Sequence, residues 1–174
     1  LDGHGYLYVK ATSGTFDGWM VKLEGIVTAP PVSSIIGVSA PNTNPTIMTS
    51  QGASAFIEDA GVIKVNPTVT VDDTPSADFD TGTLTVAITT GGTADDRLTI
   101  ESIGAGTGEI SVSGTDVSYE GTIIGSFTGG TGTTDLVVTF NSDSSPAAAG
   151  ALMRAIQFGN VSDAPDTTAR AIDM

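Results

Sequence analysis

Cysteine is absent from all 174 residues, which excludes a disulfide framework, a thiolate metal site and a thiol nucleophile. Such a chain is held together by its core and by any ions it binds. Basic residues are scarce, six against twenty acidic ones, for a net charge of -14. That field repels nucleic acid and anionic membrane and attracts divalent cations, so neither nucleic acid nor a membrane surface is expected as a partner. Apolar runs are short of the roughly eighteen residues that span a bilayer, so no membrane span is expected. The single histidine, His4, lies near the N-terminus, and a Ser-His-Asp triad would hang on that one position. Aromatic residues are few, which disfavours a sugar cleft. No signal peptide is visible and the chain opens at Leu1, so the expectation is a processed or trimmed product.

What is present is glycine, 22 residues of it, with abundant threonine, serine and valine. That composition favours strands joined by tight turns. "GYLYVKA" (Gly5–Ala11) and "WMVKLEGIVTA" (Trp19–Ala29) read as strands separated by a turn-rich link, a hairpin or meander. Pro30 and Pro31 interrupt the pairing, and "SAPNTNPT" supplies a domain boundary near Asn42–Pro45. Residues 1–41 are therefore a β-rich N-terminal segment, and 42–174 a separate module.

In that module "SAFIEDA" leads to "VIKVNPTVTV", read as a strand. "GTLTVAIT" alternates cleanly at Leu84, Val86 and Ile88. "RLTIESI", "GEISVSG", "DVSYEG", "TIIGSFTGG" and "DLVVTF" continue the series with glycine punctuation, and strands spaced so evenly predict a sandwich. "SSPAAAGALMRAIQF" breaks the rule. Ser145 reads as an N-cap and Pro146 as the first helical residue, which predicts a short helix from about Pro146 to about Arg154 before "AIQFGN" returns to strand.

From about Asn44 onward the chain resembles a cadherin-like repeat of large bacterial surface proteins and adhesins, a type related to the chondroitin-sulfate-proteoglycan repeat. The resemblance is carried by "SAFIEDAGVIKVNPTVTVDDTPSADFDTGTLTVAI", by "GEISVSGTDVSYEGTIIGSFTGGTGTTDLVVTFN" and by "SSPAAAGALMRAIQFGNVSDAPDTTAR", in that order. It implies an all-β, Ig-like (cadherin-like) β-sandwich with one short helix, a non-enzymatic role, an extracellular or cell-surface location and calcium near domain junctions. Its partners would be neighbouring copies or domains of the same protein. In the family the strand after "DTTAR" continues into an acidic, glycine-rich stretch, whereas here the chain stops at "AIDM". The expectation drawn from this is an incomplete last strand. The gap would be filled by "GYLYVKA" or "WMVKLEGIV" of another copy, giving a head-to-tail filament by strand addition. Simple truncation is the plain alternative.

The candidate ligands are oxygens. "VDDTPSADFD" (Val71–Asp80) packs Asp72, Asp73, Asp78 and Asp80 into one loop, and calcium takes six to eight oxygen ligands. The resemblance adds Glu58 on the opening strand. Asp163 and Asp166 flank Pro165 in a second acidic loop, "SDAPD". The spacing matches no EF-hand, and the same aspartates also serve as turn caps that bond their own backbone. "GGTGTTDLVV" approaches a calcium-binding nonapeptide, but Asp135 comes one residue late and no stacked copies occur, so a hairpin turn is expected. Asn160-Val161-Ser162 is a formal glycosylation acceptor. The alternative function is a carbohydrate-binding or carbohydrate-cleaving domain, in which Trp19 stacks on a surface polysaccharide and an acidic pair does the cleaving.

Overall fold

The computed structural model describes residues 5–6, 22–23, 45–48, 52–73 and 76–174. The chain divides into two units, Leu1–Ser39 and Ala40–Met174. In the first, strands β1 (Gly5–Tyr6) and β2 (Lys22–Leu23) pair antiparallel, with Gly5 opposite Leu23 and Tyr6 opposite Lys22.

The second unit runs β3 (Thr46–Met48), β4 (Ile63–Lys64), β5 (Thr70–Asp72), β6 (Thr83–Thr90), β7 (Asp96–Ile100), β8 (Ile110–Ser113), β9 (Asp116–Tyr119), β10 (Thr122–Thr128), β11 (Leu136–Phe140), α1 (Pro146–Ala155), β12 (Ile156–Asn160) and β13 (Ala171–Asp173). The architecture is all-β and sandwich-like. A six-stranded sheet is ordered β13-β6-β11-β10-β9-β8, a three-stranded sheet is β4-β12-β7, and β3 pairs with β5. Every pairing is antiparallel.

Period-two alternation explains the large sheet. Along β6, Leu84 and Val86 are buried while Thr83 and Thr85 face solvent, and on its neighbour β11 Leu136, Val138 and Phe140 turn inward. They meet Ile110, Val117 and Ile124 from the same sheet, and Leu98, Ile156 and Phe158 from the three-stranded sheet, in one apolar core. At about 25 cal/mol per Å² of apolar surface removed from water, this core is the main source of cohesion in a chain without disulfides.

The helix follows its capping signals. The Ser145 side chain accepts a hydrogen bond from the Ala148 N–H at 3.2 Å, Pro146 occupies the first turn, and Arg154 sits in the last. Small residues let it sink: Ala148, Ala149, Gly150 and Ala151 are all buried, together with Leu152. It passes into β12 with no loop, and the carbonyls of Ala155 and Ile156 accept from Glu101 and Val65.

Two segments differ from the sequence expectation. "VIKVNPTVTV" is not one strand but two, β4 and β5, which join different sheets. Pro67 has no N–H for a ladder, and the buried Asn66 accepts from the Thr68 N–H at 3.4 Å, which turns the chain. "SAFIEDA" forms no strand. Phe56 anchors it through an edge-to-face contact with Phe158, ring centroids 5.5 Å apart. The "GGTGTTD" stretch is the β10–β11 hairpin loop, with Gly129, Gly130 and Gly132 all at positive φ. At Gly129 a side chain would also meet the Asp135 carbonyl.

Candidate functional site

The sheets do not close on one side. Between β4 and β12 of the three-stranded sheet and β13 of the large one lies a groove of about 1030 Å³. Its apolar lining comes from Phe56, Ile63, Phe158, Ile172 and Met174. Glu58, Asn66 and Asp166 add polar groups to its walls. Both β4 and β13 are terminal strands of their sheets, and among the described residues no strand pairs with the outer edge of either.

One end of this groove is locked by a buried polar cluster. Asp96 is fully buried at the start of β7. Its carboxylate accepts from the Thr93 N–H at 2.7 Å, from Asn160 Nδ2 at 2.6 Å and from Arg170 Nε at 3.2 Å. Arg170 Nη2 also donates to Asp96 Oδ1 at 3.3 Å, and Nη1 bonds the carbonyls of Asp166 and Thr168 in the loop before β13. The Asp96 carbonyl accepts from Gly132 in the β10–β11 hairpin at 2.8 Å. Burial alone would raise the Asp96 pKa. The hydrogen bonds from Arg170, Thr93 and Asn160 together with the Arg170 charge outweigh it and hold the carboxyl below the usual aspartate value. Thr93, Asn160 and Arg170 therefore converge on one ionised side chain, while the hairpin bonds the main chain of the same residue.

Asn160, the formal glycosylation acceptor, thus spends its amide inside the fold. The "SDAPD" loop is organised in the same way by a resident cation. Asp166 Oδ1 accepts from the Thr168 N–H at 2.6 Å, and Asp166 lies below its ordinary pKa chiefly through its hydrogen bonds from Thr168. Asp163 is exposed.

In "VDDTPSADFD", Val71 and Asp72 end β5, and Asp73 with residues 76–80 forms the described part of the connection to β6. Asp78 Oδ1 caps the Asp80 N–H at 3.0 Å, and the Phe79 N–H donates to the carbonyl of the buried Ser144 at 3.0 Å. Thr81 then reverses the chain at φ 65°. Asp72 is exposed on β5. Asp73 is only 6% exposed, and its Oδ1 has no hydrogen-bond partner. With Asp78 and Asp80 it lines a second pocket of about 410 Å³, floored by Phe79, Leu84, Phe140 and Met153.

The seven expected carboxylates are thus distributed rather than gathered. Glu58 and Asp166 line the first groove, while Asp73, Asp78 and Asp80 line the second pocket. Among the described residues no three acidic or histidine side chains group as a metal site requires. As placed they do not surround one point with the six to eight oxygens calcium takes, and the calcium expectation gains no support here. Trp19 and His4 lie outside the described residues.

Sequence reasoning missed the Asp96–Asn160–Arg170 cluster. The available signal was scarcity: with six basic residues against twenty acidic ones, each arginine is a candidate for an internal partner. No helix among the described residues is long and apolar enough to cross a membrane. Comparison with protein-family models, with curated proteins and with solved structures finds no match.

Proposed function

We propose that the chain is an extracellular, non-enzymatic structural or adhesive module of a bacterial cell-surface or matrix protein. Modules link end to end, as filament subunits that exchange strands. The Ig-like, cadherin-like character and the surface location belong to this proposal and come from the sequence resemblance.

One observation carries the linkage. Among the described residues no strand pairs with the outer edges of β4 and β13, which flank a groove whose apolar lining includes Phe56 and Phe158. Unpaired strand edges present rows of N–H and C=O groups that take up another strand. Main-chain hydrogen bonds supply the affinity, and pockets for alternate side chains supply the specificity. A contact between two different surfaces propagates into a filament wherever the rotation between copies does not close a ring.

Sedimentation velocity over a wide concentration range, with negative-stain imaging of the same samples, tests the reading. Concentration-dependent growth into linear particles is expected. A monodisperse monomer at every concentration would rule the strand-exchange filament out.

A further inference from the structure

We propose that the pocket beside β6 receives the Gly5–Ala11 segment of a second copy of this chain, with the Lys10 ammonium seated against Asp73. The inference rests on the strand-exchange reading above, names a donor, and places the receiving edge on β6 rather than in the groove between β4 and β13.

The receptor is an unfinished edge. β6 bonds to β11 through Thr83–Val86, whereas β13 lies on its other side only along Ala87–Thr90. Among the described residues no strand covers that second side of Thr83–Val86, the stretch that opens onto the pocket through Thr83 and Leu84. A short added strand would complete the ladder there and cover the floor formed by Phe79, Leu84, Phe140 and Met153.

Charge selects the occupant. Asp73 is nearly buried with one carboxylate oxygen unpartnered, an arrangement that is costly unless a donor arrives. The module has no cation of its own to send. Lys64 lies 2.8 Å from Glu101, and Arg97 bonds the carbonyls of Ala94 and Asp96. Arg154 bonds the Val69 carbonyl, and Arg170 is held by Asp96. Of the six basic residues only Lys10 and Lys22 remain, both in the first unit.

Of the two segments, "WMVKLEG" carries Glu24 two residues after Lys22, an acid that a pocket lined by Asp73, Asp78 and Asp80 disfavours. "GYLYVKA" carries no acid. As an added strand it turns Tyr6, Tyr8 and Lys10 to one face, rings for the apolar floor and an ammonium for Asp73. β1 is paired with β2 along one edge, and among the described residues no strand takes the other.

A native chain without cysteine allows a direct test. Mixing full-length Val9→Cys with full-length Thr85→Cys should form a disulfide-linked heterodimer faster than mixing Val9→Cys with Thr122→Cys, an exposed control at the start of β10. Lys10→Gln should weaken self-association by about tenfold or more, as truncating one partner of a desolvated charge pair does. Asp73→Asn should do the same without a further loss in the double variant. Lys10→Gln lies outside the receiving module, so it serves even where Asp73→Asn fails to fold. Assembly with equal cross-linking in both mixtures overturns this docking and leaves strand exchange standing at another edge. Assembly that a chelator abolishes and Lys10→Gln does not touch assigns Asp73 to a metal cation and also overturns it. A chain that stays monomeric removes both readings.

Discussion

Arg170 and Asp96 are 74 residues apart in the chain, and the guanidinium Nε stands 3.2 Å from a carboxylate that solvent does not reach. This pair fastens the loop before β13 to the first residue of β7. Through Asn160 it also holds the end of β12, and so fixes one wall of the open groove.

Removing one partner leaves the other buried and uncompensated. Arg170→Ala and Asp96→Ala should each destabilise the Ala40–Met174 module by about 3–5 kcal/mol, the usual cost of breaking a buried ion pair from one side. Urea unfolding followed by circular dichroism measures it. A loss of a few tenths of a kcal/mol in both would show that the cluster contributes little.

The same cluster predicts an acid response. The Asp96 pKa is lowered in the folded chain, so its contribution is complete above the ordinary aspartate range and is lost as pH falls through the folded-state value. The chain should therefore lose stability on the acid side of the normal carboxylate titration, while Asp96→Asn should lose less over that interval. Unfolding midpoints at neutral pH and at about pH 3 for both proteins provide the check.

Gly125 is a packing requirement in β10. A β-carbon there would lie 2.3 Å from the Thr139 carbonyl oxygen on β11, where β10 shifts its register against β9. Gly125→Ala should cost about 1–3 kcal/mol by overpacking. Gly108→Ala faces no neighbour within 4 Å, but its positive φ makes it a test of backbone strain alone. Thermal melts of the two variants separate the causes, and Gly125→Ala with an unchanged midpoint would contradict the geometry.

The helix cap is a smaller matter. Ser145→Ala removes the acceptor for the Ala148 N–H and should cost about 1 kcal/mol. Leu152→Ala, at a fully buried position in the same helix, should cost about 2–5 kcal/mol. The order of these two effects, read from chemical denaturation, tests whether packing or capping dominates α1.

Local order was legible where it rests on neighbours in the chain. The alternation in "GTLTVAIT" specifies the inward face of β6, and Ser145-Pro146 marks the start of α1, because period and capping are short-range properties. The turn at "VDDTPSADFD" was legible too, since Asp78 caps a backbone group only two residues away. "VIKVNPTVTV" misled because its two halves share strand propensity while belonging to different sheets, and only partners elsewhere in the chain decide that.

By itself the sequence determined the β-rich composition, the absence of covalent cross-links, the acidic surface and the position of the one described helix. Tertiary structure alone decided which carboxylates share an environment. It buried Asp96 with Arg170 and Asn160, left Asp73 with an unpartnered oxygen, and separated Glu58 and Asp166 from the acidic turn. Charge and spacing along a chain cannot settle this, because whether a carboxylate is a cap, an ion-pair partner or an unmet acceptor depends on what the fold brings within about 3 Å of it.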